Sequence, residues 1–144
     1  MSSNPRILVV DDRKRTARII SRVLEKEGFE VATAFDGATG LEEARQLKPD
    51  LIILDIMMPG LSGYEVCQKL QADPETAHTA VIFLTGKGKY EGPDIADEED
   101  LIARVQERLD GFESGAVEFL TKPVSRQKLL QGVETALWAS GRID

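Results

Sequence analysis

A chain of 144 residues, 42% hydrophobic and 30% charged, has the size and composition of one globular domain. Its net charge of -7 repels a phosphate backbone and argues against direct nucleic-acid binding. Its single cysteine excludes an internal disulfide. It has no apolar run of membrane-spanning length and no secretory leader pattern, so we expect a cytoplasmic protein with no membrane partner.

Short apolar runs recur along the chain and predict strands. Three continuous runs, at residues 7–10, 51–54 and 81–84, are typical of strands that are buried on both faces of a sheet. Weaker strand candidates lie at residues 31–35 and 117–120. The sequence therefore predicts five strands.

Amphipathic runs fill the intervals between these strands and predict helices. A capping box at Ser62 begins one helix, and Gly28 and Pro49 end two others. The remaining helices are predicted from apolar side chains at helical spacing: Ala17, Ile20, Leu24; Leu41, Ala44, Leu47; Ile102, Val105, Leu109, Phe112; and Leu130, Val133, Leu137. Trp138 is predicted to be a packing anchor. The βαβαβαβαβα order predicts a parallel α/β sheet with helices on both faces, and residues 1–144 as one domain.

Polar side chains follow four of the predicted strands. Asp11 and Asp12 follow the first strand, Asp55 ends the third, Thr85 ends the fourth and Lys122 follows the fifth. Each one alone would be read as a loop residue or a helix cap. Since ligands in open α/β sheets bind beyond the carboxyl ends of the strands, the set predicts a site at this edge.

The residue types in this set indicate magnesium-dependent phosphoryl transfer. Three clustered carboxylates repel one another, and a hard divalent cation such as Mg²⁺ compensates their charge. One histidine and one cysteine make a zinc site improbable. Asp55 is then a candidate nucleophile that forms an acyl phosphate, Thr85 a hydrogen-bond donor to it, and Lys122 a cation that holds the anion.

Four motifs in order carry a resemblance to a known family. They are the acidic pair at 11–12, residues 54–60 with Gly63, residues 83–86, and residues 115–123. Over essentially its whole length the chain resembles the receiver domain of two-component response regulators. The resemblance implies a doubly wound, flavodoxin-like (βα)5 fold with strand order 2-1-3-4-5.

The resemblance also implies a role for each site residue. Asp55 is the phosphoacceptor, and Thr85 and Lys122 bind the phosphoryl group. Phe119 matches the aromatic residue that changes rotamer when the threonine moves. The Lys122–Pro123 bond is usually cis in such proteins. The Mg²⁺ ligands implied by the resemblance are Asp11, Asp12, Asp55 and the backbone carbonyl of Met57.

The partners implied are a histidine kinase or histidine phosphotransfer protein as donor, and an output domain or downstream protein as receiver of the signal. The output face is usually formed by the fourth predicted helix, the fifth strand and the fifth predicted helix. A homodimer is a further partner that the resemblance allows. On this reading the chain is a regulatory phosphoacceptor that promotes its own phosphorylation and dephosphorylation, and not an enzyme.

Two other functions are weighed against this one. A receiver-like interaction module would work without phosphorylation, but the chain keeps Asp12, Asp55, Thr85 and Lys122. An aspartyl-nucleophile hydrolase needs a second aspartate two residues after the nucleophile, where this chain has Met57.

The sequence departs from the family pattern in three places. Arg13 replaces a usual acidic or amide residue, and Gly86 replaces a common alanine. The segment after Thr85 is longer than usual by about 15 residues, which predicts an insertion at 87–100 and an elongated fourth helix.

Overall fold

The sheet contains five parallel strands in the order β2-β1-β3-β4-β5. The computed structural model describes residues 4–86, 117–139 and 141. The strands are β1 Arg6–Val10, β2 Glu30–Ala34, β3 Leu51–Asp55, β4 Ala80–Thr85 and β5 Val117–Thr121. This arrangement confirms the predicted flavodoxin-like α/β fold and strand order.

Four described helices cover the two faces of the sheet. They are α1 Lys14–Lys26, α2 Gly37–Leu47, α3 Gly63–Ala72 and α4 Arg126–Ala139, of which α4 is the fifth predicted helix. One apolar cluster joins α1 and α4 to the sheet, and a second joins α2 and α3 to its other face. The doubly wound layering therefore follows from the apolar periodicity of the helices. None of these four helices is long and apolar enough to cross a bilayer.

The strands β1, β3 and β4 are buried on both faces, as their continuous apolar runs predict. Side chains at consecutive positions in these strands alternate between the two clusters, because strand side chains alternate between faces. Leu8 and Val10 face α2 and α3, whereas Ile7 and Val9 face α1 and α4. Both faces of each strand must then be apolar, which is why the sequence signal is a run and not an alternation.

The predicted helix signals are confirmed at both ends. Ser62 accepts from the backbone N–H of Glu65, whose side chain in turn accepts from the backbone N–H of Ser62, completing the capping box. Gly28 follows α1 with a φ of 95°, which glycine adopts without the steric cost of a side chain. At the end of α2, Lys48 takes the left-handed conformation directly before Pro49.

One packing prediction is wrong. The Trp138 side chain is 66% exposed on α4, because the buried side of that helix is formed by residues such as Leu129, Val133 and Leu137. The fourth predicted helix, at residues 102–112, and the insertion at residues 87–100 lie outside the described residues. The single-domain reading of residues 1–144 stays a prediction.

Candidate functional site

Three carboxylates meet where β1 and β3 end. The strands pair in parallel with Val10 opposite Leu54, so Asp11 and Asp55 leave the sheet side by side. One carboxylate oxygen from each of Asp11, Asp12 and Asp55 lies within 4.8 Å of the others. Asp11 is fully buried and Asp55 is 4% exposed, whereas Asp12 is exposed and borders solvent.

Backbone hydrogen bonds fix the two buried carboxylates. The N–H of Asp11 donates to the carbonyl of Ala34 at 3.1 Å, and the Asp11 carboxylate accepts from the N–H of Arg13 at 2.9 Å. The Asp55 carboxylate accepts from the N–H of Met57 at 3.4 Å. This hydrogen bond holds the Met57 backbone beside the Asp55 carboxylate. The family resemblance implies that the carbonyl of Met57 is a metal ligand.

Lys122 brings a positive charge to this cluster. Its ammonium Nζ lies 2.7 Å from Asp11 Oδ2 and 3.6 Å from Asp55 Oδ2, and only 16% of its side chain is exposed. The Lys122 backbone N–H donates to the Thr85 carbonyl at 2.6 Å, which joins the loop after β5 to the end of β4. The peptide bond between Lys122 and Pro123 is cis, as predicted.

The electrostatics of the cluster raise the proton affinity of its central carboxylate. Burial, followed by the negative charge of Asp11, raises the pKa of Asp55 to about 7, and the ammonium of Lys122 opposes that rise. A single cation therefore leaves the repulsion among three carboxylates only partly compensated.

A tight backbone contact shapes the far side of Asp55. The helix α3 begins at Gly63, whose N–H donates to the carbonyl of Ile56 at 3.0 Å. A Cβ atom at this position would collide with the carbonyl oxygen of Asp55 and lie 3.0 Å from Ile56 Cα. Only glycine lets α3 start this close to the end of β3.

Two side-chain pairs join β4 and β5 on the same side of the sheet. Phe83 and Phe119 are cross-strand partners whose ring centroids are 5.4 Å apart in a stacked arrangement. One rung further, Thr85 is the cross-strand partner of Thr121, and their hydroxyl oxygens are 3.4 Å apart. The motifs predicted roles for Thr85 and Phe119 but none for Thr121, because its contact with Thr85 depends on the pairing of β4 and β5.

The ligand set of the cluster fits a hard divalent cation. Carboxylate oxygens are the ligands that Mg²⁺ prefers, and two buried carboxylates with one exposed carboxylate leave room for water in the coordination sphere. The described residues near the cluster offer no sulfur or imidazole ligand to it. The structure thus brings together Asp11, Asp12, Asp55 and Lys122, with Thr85 and Phe119 on the adjoining strands.

Comparison with known proteins decides the family. A family model described as the response regulator receiver domain matches residues 7–100 of the chain. The chain belongs to the response regulator receiver domain family. Such domains are parts of two-component signalling systems, and this chain is therefore a regulatory receiver domain.

Similar curated proteins differ in their total length. The chain is 38% identical over 139 residues to the DNA-binding dual master transcriptional regulator RpaA of Synechocystis. The match covers 96% of this chain but only 52% of that protein. It is 41% identical over 133 residues to response regulator PleD of Caulobacter vibrioides, and that match covers 90% of this chain and 25% of PleD. Protein PilH of Pseudomonas aeruginosa is 36% identical, and 97% of it is covered along with 92% of this chain. The chain thus spans about half or less of the length of the first two relatives.

Solved structures share the fold over nearly the whole chain. A CheY-like receiver domain protein from Methanospirillum hungatei has a TM-score of 0.76 at 25% identity, with 97% of this chain and 98% of that chain covered. A response regulator from Chloroflexus aurantiacus has a TM-score of 0.72 at 29% identity, with 94% and 98% covered.

Proposed function

We propose that this receiver domain is a phosphoaccepting switch of a two-component phosphorelay in the cytoplasm, with Asp55 as the phosphoacceptor. One observation carries the proposal: a buried carboxylate, Asp55, lies beside two further carboxylates and within 3.6 Å of the ammonium of Lys122. The carboxylates offer ligands for a divalent cation and Lys122 adds an ammonium, and phosphoryl transfer requires such positive charges beside the transferring group.

The reaction transfers a phosphoryl group from a phosphohistidine on a partner kinase or phosphotransfer protein. A carboxylate oxygen of Asp55 forms the new P–O bond while the P–N bond of the phosphohistidine breaks, and the imidazole leaves with the electron pair of that bond and takes up a proton. In this proposal the ammonium of Lys122, which lies 3.6 Å from Asp55 Oδ2, binds one oxygen of the incoming group, and the hydroxyl of Thr85 binds another after turning toward it. Asp55 must be ionised to attack, and its pKa of about 7 leaves much of it protonated near neutral pH.

The cation site completes the arrangement. Asp11, Asp12, Asp55 and the backbone carbonyl of Met57 would hold Mg²⁺, which supplies positive charge against the carboxylates and the transferred group. This charge would lower the pKa of Asp55 and so increase the fraction of it that is ionised. Asp12 is the exposed member of the set and would hold the cation from the solvent side.

Phosphorylation of Asp55 would change the conformation of the neighbouring strands β4 and β5. In this proposal Thr85 turns toward the phosphoryl oxygens, and the ring of Phe119, now stacked on Phe83, moves into the vacated space. The signal then reaches an output domain or a downstream protein through the face that includes β5 and α4. The predicted insertion at residues 87–100 begins two residues after Thr85 and would remodel that face.

Intact-mass measurement with acetyl phosphate tests this function. We expect one added phosphoryl group on the wild-type chain with Mg²⁺, and none without Mg²⁺ or in the Asp55→Asn variant. Glu42→Gln is the matched control, because it removes an exposed carboxylate from α2 and should label like the wild type. Equal labelling of the wild type and Asp55→Asn would assign the phosphate elsewhere, and no labelling of either would favour an interaction module without phosphorylation.

The charge distribution indicates where the phosphodonor approaches. Residues 13–26 carry six cationic side chains and one acidic one, in a chain whose net charge is -7. The first turn of α1 has no acidic residue, although the helix dipole disfavours cations there. Since α1 begins directly after the acidic cluster, a donor that reaches Asp55 also lies beside this positive surface.

The exposed side of α1 combines charge with an apolar centre. Ile19 is 53% exposed, with Arg15 four residues before it and Arg22 three residues after it. Arg18 is exposed at helical spacing from both of these arginines. Within residues 4–86, 117–139 and 141, none of these three arginines has an ion-pair partner. We therefore propose that the donor presents an acidic helical surface with an apolar residue that packs on Ile19.

Charge reversal on α1 tests this approach. Arg18→Glu should slow phosphoryl transfer from the histidine kinase that labels the wild type fastest, by about tenfold at low salt, because steering is lost. Labelling by acetyl phosphate should stay unchanged. Lys69→Glu, an equivalent reversal of an exposed cation on α3, should alter neither rate. A kinase that transfers equally well to Arg18→Glu and wild type would contradict the proposed approach.

A further inference from the structure

The hydroxyl of Thr85 is held at β5. Thr85 is 1% exposed, and its hydroxyl oxygen lies 3.4 Å from the carbonyl oxygen of Leu120 and 3.4 Å from the hydroxyl oxygen of Thr121. Among the described residues, the hydroxyl has no hydrogen bond to Asp55. In the resting protein its partners therefore belong to the neighbouring strand.

The backbone keeps this pair of threonines together. Thr85 and Thr121 are cross-strand partners, and the N–H of Lys122 donates to the Thr85 carbonyl at 2.6 Å. Phe83 and Phe119 form the preceding rung on the same side, since side chains two residues apart share a face. The contact between the hydroxyls thus follows from the register of the sheet.

We propose that Thr121 is a positioning residue whose hydroxyl holds Thr85 in its resting orientation and so sets the balance between the two forms of the switch. This inference rests on the proposed phosphoacceptor function. It adds a residue that does not touch the phosphoryl group but acts through Thr85, which does.

The chemistry of hydroxyls gives the direction of the effect. A threonine hydroxyl has one proton, which it shares between the two acceptors on β5. Turning toward a phosphoryl oxygen on Asp55 removes Thr85 from both of them. Because 3.4 Å is long for an O–H···O bond, the retaining force is small and the hydroxyl is released readily. Removal of the Thr121 hydroxyl should therefore favour the active form by a modest factor.

The test compares beryllofluoride binding, with Mg²⁺ in excess, by isothermal titration calorimetry. Thr121→Val keeps the branched shape but removes the hydroxyl, and should bind beryllofluoride about two- to fivefold more tightly, the lower part of the range for one neutral hydrogen bond. Thr121→Ser restores a hydroxyl and should return the affinity toward that of the wild type. Thr121 is exposed, so neither change disturbs the core.

A second background separates positioning from a general effect on the fold. In Thr85→Val the hydroxyl that Thr121 holds is gone, so adding Thr121→Val should leave the affinity for beryllofluoride unchanged. Unchanged or weaker binding by Thr121→Val alone, or a gain that persists in the Thr85→Val background, would overturn the role of Thr121. Failure of the wild type itself to bind beryllofluoride would instead contradict the proposed function.

Discussion

Replacing Asp55 with asparagine should stabilise the resting protein by about 2 kcal/mol at pH 8 in the absence of Mg²⁺. Asp55 is 4% exposed and shares the site with Asp11 and Asp12. Burial and the neighbouring negative charges therefore destabilise its ionised form. Asparagine keeps the shape and carries no charge. If Asp55 is the phosphoacceptor as proposed, stability is lowered at the residue that reacts, as is common at functional sites.

The dependence on pH has a definite sign. The pKa of Asp55 is raised from 3.8 in the unfolded chain to about 7 in the folded protein, so the folded protein binds the additional proton between these values. The contribution of Asp55 to stability is therefore lost as the pH rises through this window, and the loss is complete above pH 7. The difference between the wild type and Asp55→Asn should be small near pH 4 and largest at pH 8.

Urea unfolding at the two pH values, with and without Mg²⁺, measures this effect. Mg²⁺ should stabilise the wild type at pH 8 and stabilise Asp55→Asn much less, because one of its ligands has lost its charge. Glu42→Gln again serves as the control, since its carboxylate is exposed on α2 away from the cluster, and it should show neither change. An Asp55→Asn protein that is less stable than the wild type at pH 8 would show that Lys122 fully compensates the cluster.

The helices and strands could be predicted because their determinants are local, whereas the strand order came from the resemblance to the receiver family. Continuous apolar runs mark β1, β3 and β4 since both faces of these strands are buried, and the capping box at Ser62 and the φ of Gly28 are set by neighbouring residues. Trp138 could not be placed, because an aromatic side chain near the end of a helix packs or stays exposed depending on which side of the helix faces the sheet.

The candidate site was predictable in its location and not in its contacts. Parallel topology brings the strand ends to one edge, so the clustering of Asp11, Asp12 and Asp55 follows from the order of the elements. The 2.7 Å contact between Lys122 and Asp11 joins residues 111 apart in sequence and depends on how the loop after β5 turns. Such distances follow from packing, which no pattern in the sequence encodes.

A methyl group at Gly63 should be among the most damaging small changes in the molecule. Gly63→Ala places a Cβ against the carbonyl oxygen of Asp55, and 3.0 Å from both Asp55 C and Ile56 Cα. These are backbone atoms of the last residue of β3 and of the residue after it. Pairing with β4 at Asp55 and with β1 at Leu54 resists their displacement.

Gly63→Ala has two opposing effects on stability, a gain in helix propensity and a loss from overpacking, and the loss is the larger. Alanine favours a helix over glycine by up to about 1 kcal/mol, but overpacking against fixed backbone costs about 3 kcal/mol, so we expect a net loss of about 2 kcal/mol. Any relief must move Asp55 itself. Because a displaced nucleophile reacts poorly, labelling by acetyl phosphate should slow by about tenfold or more.

The same substitution elsewhere provides the matched control. Gly132 lies inside α4, and a Cβ there would meet the flexible end of Leu120, with Cδ1 at 3.2 Å. That side chain can rotate away, so Gly132→Ala should be neutral or slightly stabilising. Urea unfolding and intact-mass labelling rates of the two variants settle the comparison. If Gly63→Ala unfolds at the same urea concentration as the wild type and labels at the same rate, α3 can withdraw from β3 without disturbing Asp55, and the close approach at Gly63 does not constrain the site.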